Sequence, residues 1–130
     1  MIELSINTSL RNQMVNITPE ISKNIPGTFD GLVYIYVPHT TAAVTINEGA
    51  DPAVESDILN YLGELVPESE SFSHVEGNSD SHIKSSLIGN SVSLIVENGK
   101  LILGTWQAIY FCEFDGPRSR KVFLKLIKNV

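Results

Sequence analysis

Three histidines, His39, His74 and His82, are the side chains of this 130-residue chain best suited to chemistry. None lies in an obvious apolar face, and all three fall in loops or at element boundaries, where a scaffold presents functional groups. Neutral imidazoles ligate divalent metals, so together they could form one face of a zinc or magnesium site with water or substrate in the open positions. Their spacing is equally compatible with three separate surface or capping histidines. The stretch "HVEGNSDSHIKSSLIGN", His74 to Asn90, adds an anion-binding reading. Backbone N–H groups at a helix start, the Ser85 and Ser86 hydroxyls and the Lys84 ammonium could hold a phosphate. Helix capping by Asp80 or Ser81 is the plainer reading. No Gly-rich Walker pattern accompanies these residues, so they do not form a P-loop.

Thr40 and Thr41 follow His39, and their hydroxyls could hold phosphate or water, although threonine also favours strands. Glu113 and Asp115 lie two apart on an expected strand, on one face and about 7 Å apart, and Gln107 shares that face. A polar stripe is ordinarily a strand's solvent face, but carboxylates near histidines can also orient ligands or transfer protons. Cys112 belongs to the opposite face with Ala108, Tyr110 and Phe114, and reads as an inert core thiol. There is no Gly-x-Ser-x-Gly elbow. Phosphate or metal chemistry is therefore a better class than nucleophilic catalysis.

The elements that must position these groups follow from periodicity. Ile2, Leu4 and Ile6 alternate as in a half-buried strand. "TPEISKNI" predicts a short helix with Thr18 as N-cap and Pro19 at the first helical position. "GLVYIYV", Gly31 to Val37, reads as a central strand covered on both faces. "TAAVTIN", Thr41 to Asn47, reads as its partner across Pro38, His39 and Thr40. Asp51 and Pro52 start the main helix, whose stripe of Val54, Ile58, Leu62 and Leu65 ends before Pro67. Pro67 to Ser81 is a loop of functional type, followed by a short helix from about Ser81 to Ile88, ending at Gly89 or Asn90. "SVSLIVE" and "KLILG" flank the Asn98-Gly99 hairpin turn. "TWQAIYFCEF" and "RKVFLKLI" predict a second hairpin around Asp115, Gly116 and Pro117. These elements make one α+β domain spanning residues 1–130, an antiparallel or mixed sheet folded as a sandwich or partial barrel with the Pro52 helix packed on it.

Composition sets limits on partners. With 42% hydrophobic and 18% charged residues the chain is ordinary globular material. A formal net charge of −6 argues against non-specific nucleic-acid binding. Arg118, Arg120, Lys121, Lys125 and Lys128 concentrate the basic charge late in the chain, which reads as a solvated strand face. One cysteine, no signal-peptide pattern and no apolar run near the ~20 residues of a membrane span lead to a cytoplasmic expectation.

The segments "HTTAAVTINEGADP", "SHIKSSLIGNSVSLIVENGKLILGTWQ" and "CEFDGPR" together resemble the YjbQ family, some of whose members are named secondary thiamine-phosphate synthases. The resemblance runs from about Gly31 to the C-terminus. It implies a sandwich-like fold assembled as a homotrimer, with His39, His74, His82 and Glu113 at signature positions. The activity it implies joins a hydroxymethylpyrimidine diphosphate to a thiazole phosphate and releases diphosphate. That chemistry requires stabilisation of the departing diphosphate and positioning of the thiazole nitrogen. His82, Glu113 and His39 are the expected catalytic residues, with Thr40, Thr41, Lys84, Ser85, Ser86 and Arg118 as phosphate ligands and the three histidines as metal ligands. Two other readings stand beside it, a non-catalytic trimeric module binding a small anionic metabolite and a metal-dependent hydrolase.

Overall fold

The structure, a computed structural model, describes residues 1–68 and 72–130. In chain order the elements are β1 (Ile2–Asn7), β2 (Gln13–Asn16), α1 (Thr18–Lys23), β3 (Gly31–Tyr36), β4 (Ala42–Glu48), α2 (Pro52–Leu65), α3 (Ser79–Ile88), β5 (Ser91–Glu97), β6 (Lys100–Leu101), β7 (Gln107–Glu113) and β8 (Ser119–Lys128). The strands form a five-stranded sheet ordered β1-β8-β3-β5-β6 and a three-stranded sheet ordered β2-β7-β4. All of these pairings are antiparallel. The expected α+β sandwich is therefore the observed architecture.

Period-2 burial explains the layers. Leu4 and Ile6, Val33 and Ile35, and Val122 and Leu124 point from the larger sheet toward Val44, Ile109 and Phe111 of the smaller one, with Ile17, Ile21 and Ile25 closing the same core. The other face of the smaller sheet carries Met14, Ala43, Ala108, Tyr110, Cys112 and Phe114, packed against Leu62, Ile58 and Leu59 of α2 and Ile88 of α3. β7 is thus covered on both faces. Burial pushes the Cys112 thiol up to about 12, in keeping with an inert core cysteine.

Local signals hold where the chemistry is local. Asp51 caps α2 by accepting a hydrogen bond from the Ala53 N–H at 2.9 Å, with Pro52 at the first position. Asn98 (φ 49°) and Gly99 (φ 74°) turn between β5 and β6 with the doubly positive φ of a two-residue hairpin. Thr18 does not cap α1. Ile17 takes the cap position, and the Thr18 hydroxyl instead accepts from the Ile109 N–H at 2.8 Å, pinning α1 to β7. Nor do Asp80 or Ser81 cap α3, which begins at Ser79 after Asn78. Residues 69–71 of the expected Pro67–Ser81 loop lie outside the described residues.

Both long-range strand pairings expected from adjacency are replaced. β3 and β4 lie in different sheets, so Pro38, His39 and Thr40 cross between layers instead of turning a hairpin. β7 and β8 likewise separate, because each is already flanked on both edges, β7 by β2 and β4, β8 by β1 and β3. β3 is central in its sheet but covered on one face only within the chain. Leu32, Tyr34 and Tyr36 are exposed on the other, and Leu32 stands in register between Ile95 and Ile127, also exposed. In α2 the apolar stripe is covered at Leu62 but open at Leu65.

Candidate functional site

The crossing between β3 and β4 brings His39 and Thr40 against α3. A cleft of ≈ 490 Å³ opens there, lined by His39, Thr40, Ala42, His82, Ser85, Ser86, Gly89 and Asn90. His82, Ser85 and Ser86 stand at i, i+3 and i+4, which places them on one helix face. The connection from α3 to β5 is stitched to both sides of the crossing. The Val37 N–H donates to the Asn90 carbonyl at 2.8 Å and the Val44 N–H to the Gly89 carbonyl at 3.1 Å. Two segments distant in sequence are thereby held at fixed separation.

His39 is oriented by the backbone. Its Nε2 accepts from the Lys121 N–H at 2.9 Å, so the neutral ring carries its proton on Nδ1. Burial, and then the positive charge of Arg120, hold this imidazole below the usual histidine range. The Ser85 hydroxyl donates to the Ser81 carbonyl at 2.8 Å and the Ser86 hydroxyl to the His82 carbonyl at 2.9 Å. Their lone pairs are available as they stand, and each O–H reaches a ligand only by giving up a bond within the helix.

The other expected site residues divide. His74 packs edge-on against His82, ring centroids 5.3 Å apart, with its Nε2 3.7 Å from Glu76 Oε2, and is not among the residues lining the cleft. Among the described residues no group of three His, Cys, Asp or Glu side chains is placed to hold a metal. A single chain therefore does not assemble the expected three-histidine centre. Lys84 is buried and directed away from the cleft, with Nζ 3.3 Å from both Asp80 Oδ2 and Asn12 Oδ1 and lying over the Phe114 ring. Thr41 is buried too, and its hydroxyl accepts from Arg120 at 2.8 Å. Arg118 donates through Nε and Nη2 to Asp115, each at 2.9 Å.

Glu113 is the largest departure. It is not on a solvent face but fully buried, and it accepts four hydrogen bonds. The donors are the Thr8 hydroxyl at 2.8 Å, Arg120 Nε at 2.9 Å, Arg120 Nη2 at 2.5 Å and the Asp115 N–H at 3.1 Å. Burial pushes this carboxyl up, but the hydrogen bonds from Arg120, Thr8 and Asp115 outweigh it and leave the pKa below the usual carboxylate range. Gly116 allows the chain to close over the group. A Cβ there would collide with the Leu10 carbonyl oxygen and stand 2.8 Å from Thr8 Oγ1. Glu113 thus joins β7 to β8 and, through Arg120, anchors Thr41 beneath His39.

Two groups escaped the sequence reading. Arg120, read with the other late basic residues as part of a solvated strand face, is buried; it could have been found, since it alternates with Val122 and Leu124 on the inward face of β8, as Glu113 does with Ile109 and Phe111 on β7. Two opposite charges in apolar phase signal a buried pair. The second group, Arg11 on Asp80 through two 3.0 Å bonds, joins residues too far apart in sequence to leave a local trace. Burial pushes the Asp80 carboxyl up, yet Arg11 and Lys84 hold it below the usual range.

Comparison with known proteins matches the chain along nearly its whole length. The family model described as "UPF0047 protein YjbQ-like" matches residues 2–129. The chain is 52% identical over 129 residues to the UPF0047 protein MJ1081 of Methanocaldococcus jannaschii, covering 98% of this chain and 94% of that one. It is 51% identical over 127 residues to the UPF0047 protein YugU of Bacillus subtilis, covering 95% and 96%. A crystal structure of a YjbQ/UPF0047-family protein from Clostridium acetobutylicum superposes with a TM-score of 0.94 at 53% identity, over 98% of this chain and 100% of that one. The conserved hypothetical protein TT1486 from Thermus thermophilus gives the same TM-score of 0.94 at 43% identity, over 98% and 100%.

Proposed function

The chain belongs to the UPF0047 YjbQ-like family, and from that premise we propose that it is an enzyme acting on a small phosphorylated metabolite held in the His39–His82 cleft. One observation carries the reading: two imidazoles share one polar cleft, and one of them is held neutral with a defined tautomer. His82 is the proton-transfer group, and the His39 ring is the oriented partner. Thr40, Ser85, Ser86 and Asn90 supply neutral contacts to phosphate oxygens. Glu113 acts from beneath as a positioning residue.

Thiamine-phosphate formation is proposed as a secondary activity of this cleft. The thiazole nitrogen forms a C–N bond to the pyrimidine's methylene carbon as the C–O bond to diphosphate breaks. The leaving diphosphate oxygen takes the electron pair and then a proton from His82, while the thiazole nitrogen, which has no proton to lose, becomes quaternary. Among the described residues no Lys or Arg lines the cleft, so countercharge for the diphosphate comes from outside it. The sources are a divalent cation accompanying the substrate or a basic residue of a second copy. The exposed Leu32, Tyr34, Tyr36, Ile95 and Ile127 face supports assembly as a homotrimer.

The test supplies both phosphorylated precursors with magnesium and measures thiamine phosphate chromatographically. His82→Ala is expected to lower turnover by about 100-fold or more while leaving the melting temperature and oligomeric state unchanged. Equal turnover would overturn the assignment. Retained binding of the pyrimidine diphosphate with no product from the wild type would favour the anionic-metabolite binding module.

A further inference from the structure

Two segments that the proposed activity leaves unused meet at the opposite end of the three-stranded sheet. They are "INEG", Ile46 to Gly49, at the end of β4 and "GTWQ", Gly104 to Gln107, entering β7. Glu48 pairs there with Gln107, whereas Ala42 pairs with Glu113 at the end near the cleft. The extended strand between those pairs puts the two ends about 20 Å apart.

Trp106 is the single tryptophan of the chain and is 65% exposed. With Ile46, Asn47, Glu48 and Gln107 it lines a hollow of ≈ 220 Å³. A large aromatic face left bare among polar groups is suited to stacking on a ring. The polar neighbours are already braced. Gln107 Oε1 accepts from the Gly104 N–H at 2.8 Å, Glu48 Oε2 from the Ala50 N–H at 2.8 Å, and Asn47 Oδ1 from the Glu48 N–H at 2.7 Å. Each bond occupies one polar atom and orients the other. Among the described residues Gln107 Nε2 and Glu48 Oε1 make no hydrogen bond within the chain, and as cross-strand partners the two side chains share one sheet face, leaving an anionic acceptor beside an amide donor.

We propose that this hollow binds a planar nitrogen heterocycle bearing an amino group, of the aminopyrimidine type, stacked on Trp106. The amine donates to Glu48 Oε1, and the adjacent ring nitrogen accepts from the amide of Gln107. Donor beside acceptor on one flat edge is the pattern that a carboxylate beside an amide N–H₂ complements. Because the side chains are held before the ligand arrives, little ordering is left for binding. The site is distinct from the His39–His82 cleft and does not depend on the activity proposed there.

Fluorescence of the single tryptophan reads the site directly. Titration of the intact protein with cytosine is expected to give saturable quenching, and glucose is expected to give none. Glu48→Gln, which keeps the side chain's size and removes its charge, should weaken cytosine about tenfold. Trp106→Ala should abolish binding measured by calorimetry, with an unchanged thermal melt. His82→Ala should leave the quenching unaltered. The proposal is overturned by the absence of saturable quenching, by quenching with glucose in place of cytosine, by equal affinity in Glu48→Gln, or by loss of the response in His82→Ala.

Discussion

Two groups of ionisable side chains meet at one end of the three-stranded sheet and are used in opposite ways. At the Glu113–Arg120 junction each charge faces an opposite charge, Glu113 accepts from Thr8 and the Asp115 backbone, and Arg120 donates to Thr41, with both residues buried. In the adjoining cleft His39 and His82 are half-buried, and among the described residues only one ring nitrogen of His39 is engaged by the backbone. The difference separates a charge that holds the sheets together from a group left able to exchange a proton. Motif membership does not make that distinction, since Glu113 and His39 are equally parts of the resemblance. Hydrogen-bond satisfaction makes it.

The comparison breaks most readily at the buried pair. Arg120→Met leaves the Glu113 carboxylate without its main counter-charge and removes the support beneath Thr41. A loss of about 3–5 kcal/mol is expected from denaturant unfolding, and a change below about 1 kcal/mol would show that the junction is not an anchor. A smaller effect is expected at Asp80, where Arg11 is partly exposed and can recover water and buried Lys84 keeps its Asn12 acceptor. Asp80→Asn should cost about 2 kcal/mol and loosen α3, read as faster amide exchange from Ser81 to Ile88. Unchanged exchange would remove Asp80 from the set of groups that position His82.

The smallest expected effect is a pH dependence that sets the two regions against each other. Glu113 and Asp80 have folded-state pKa values below the ordinary carboxylate range. The unfolded chain therefore takes up protons first as pH falls, and their stabilisation, complete above about pH 5, is lost as pH drops through the lowered folded values. His39 is also lowered, so its contribution begins to fall at a higher pH, below about 6.5. Stability against pH should show a shallow decline there ahead of the steeper acid transition. His39→Gln, which keeps an acceptor for the Lys121 N–H, should remove the shallow decline alone. Persistence of both phases would mean that another group is responsible for the first.

How much of this was legible depended on the range of the determining interaction. Asp51 capping α2 and Asn98-Gly99 turning a hairpin are settled within four residues, and both appear in the structure as read. The face of β7 with Ala108, Tyr110 and Cys112 was also readable as core, because alternation is a property of one strand, whereas the face of Glu113, read as a polar stripe, is core too at Ile109 and Phe111. Strand partnership was not. Thr41–Asn47 beside Gly31–Val37 looks like a hairpin, yet the crossing at His39 sends them to different sheets. Lys84, Thr41 and Glu113 looked like ligands because their types suit phosphate or proton transfer. Asp80, Arg120 and Thr8 claim them instead, and those partners come from parts of the chain that no local pattern connects to the site.

The sequence by itself determined the α+β class, the placement of the main helix, the β5–β6 hairpin and the family to which the chain belongs. Each rests on periodicity, on turn and capping chemistry, or on linked motifs. Only the tertiary structure decided that β7 and β8 part company, that Glu113 and Lys84 are spent inside the fold, and that His39 and His82 are left facing one cleft. The reason is that burial and hydrogen-bond satisfaction belong to pairs of residues brought together from distant parts of the chain, and a residue's type does not reveal which partner will reach it first.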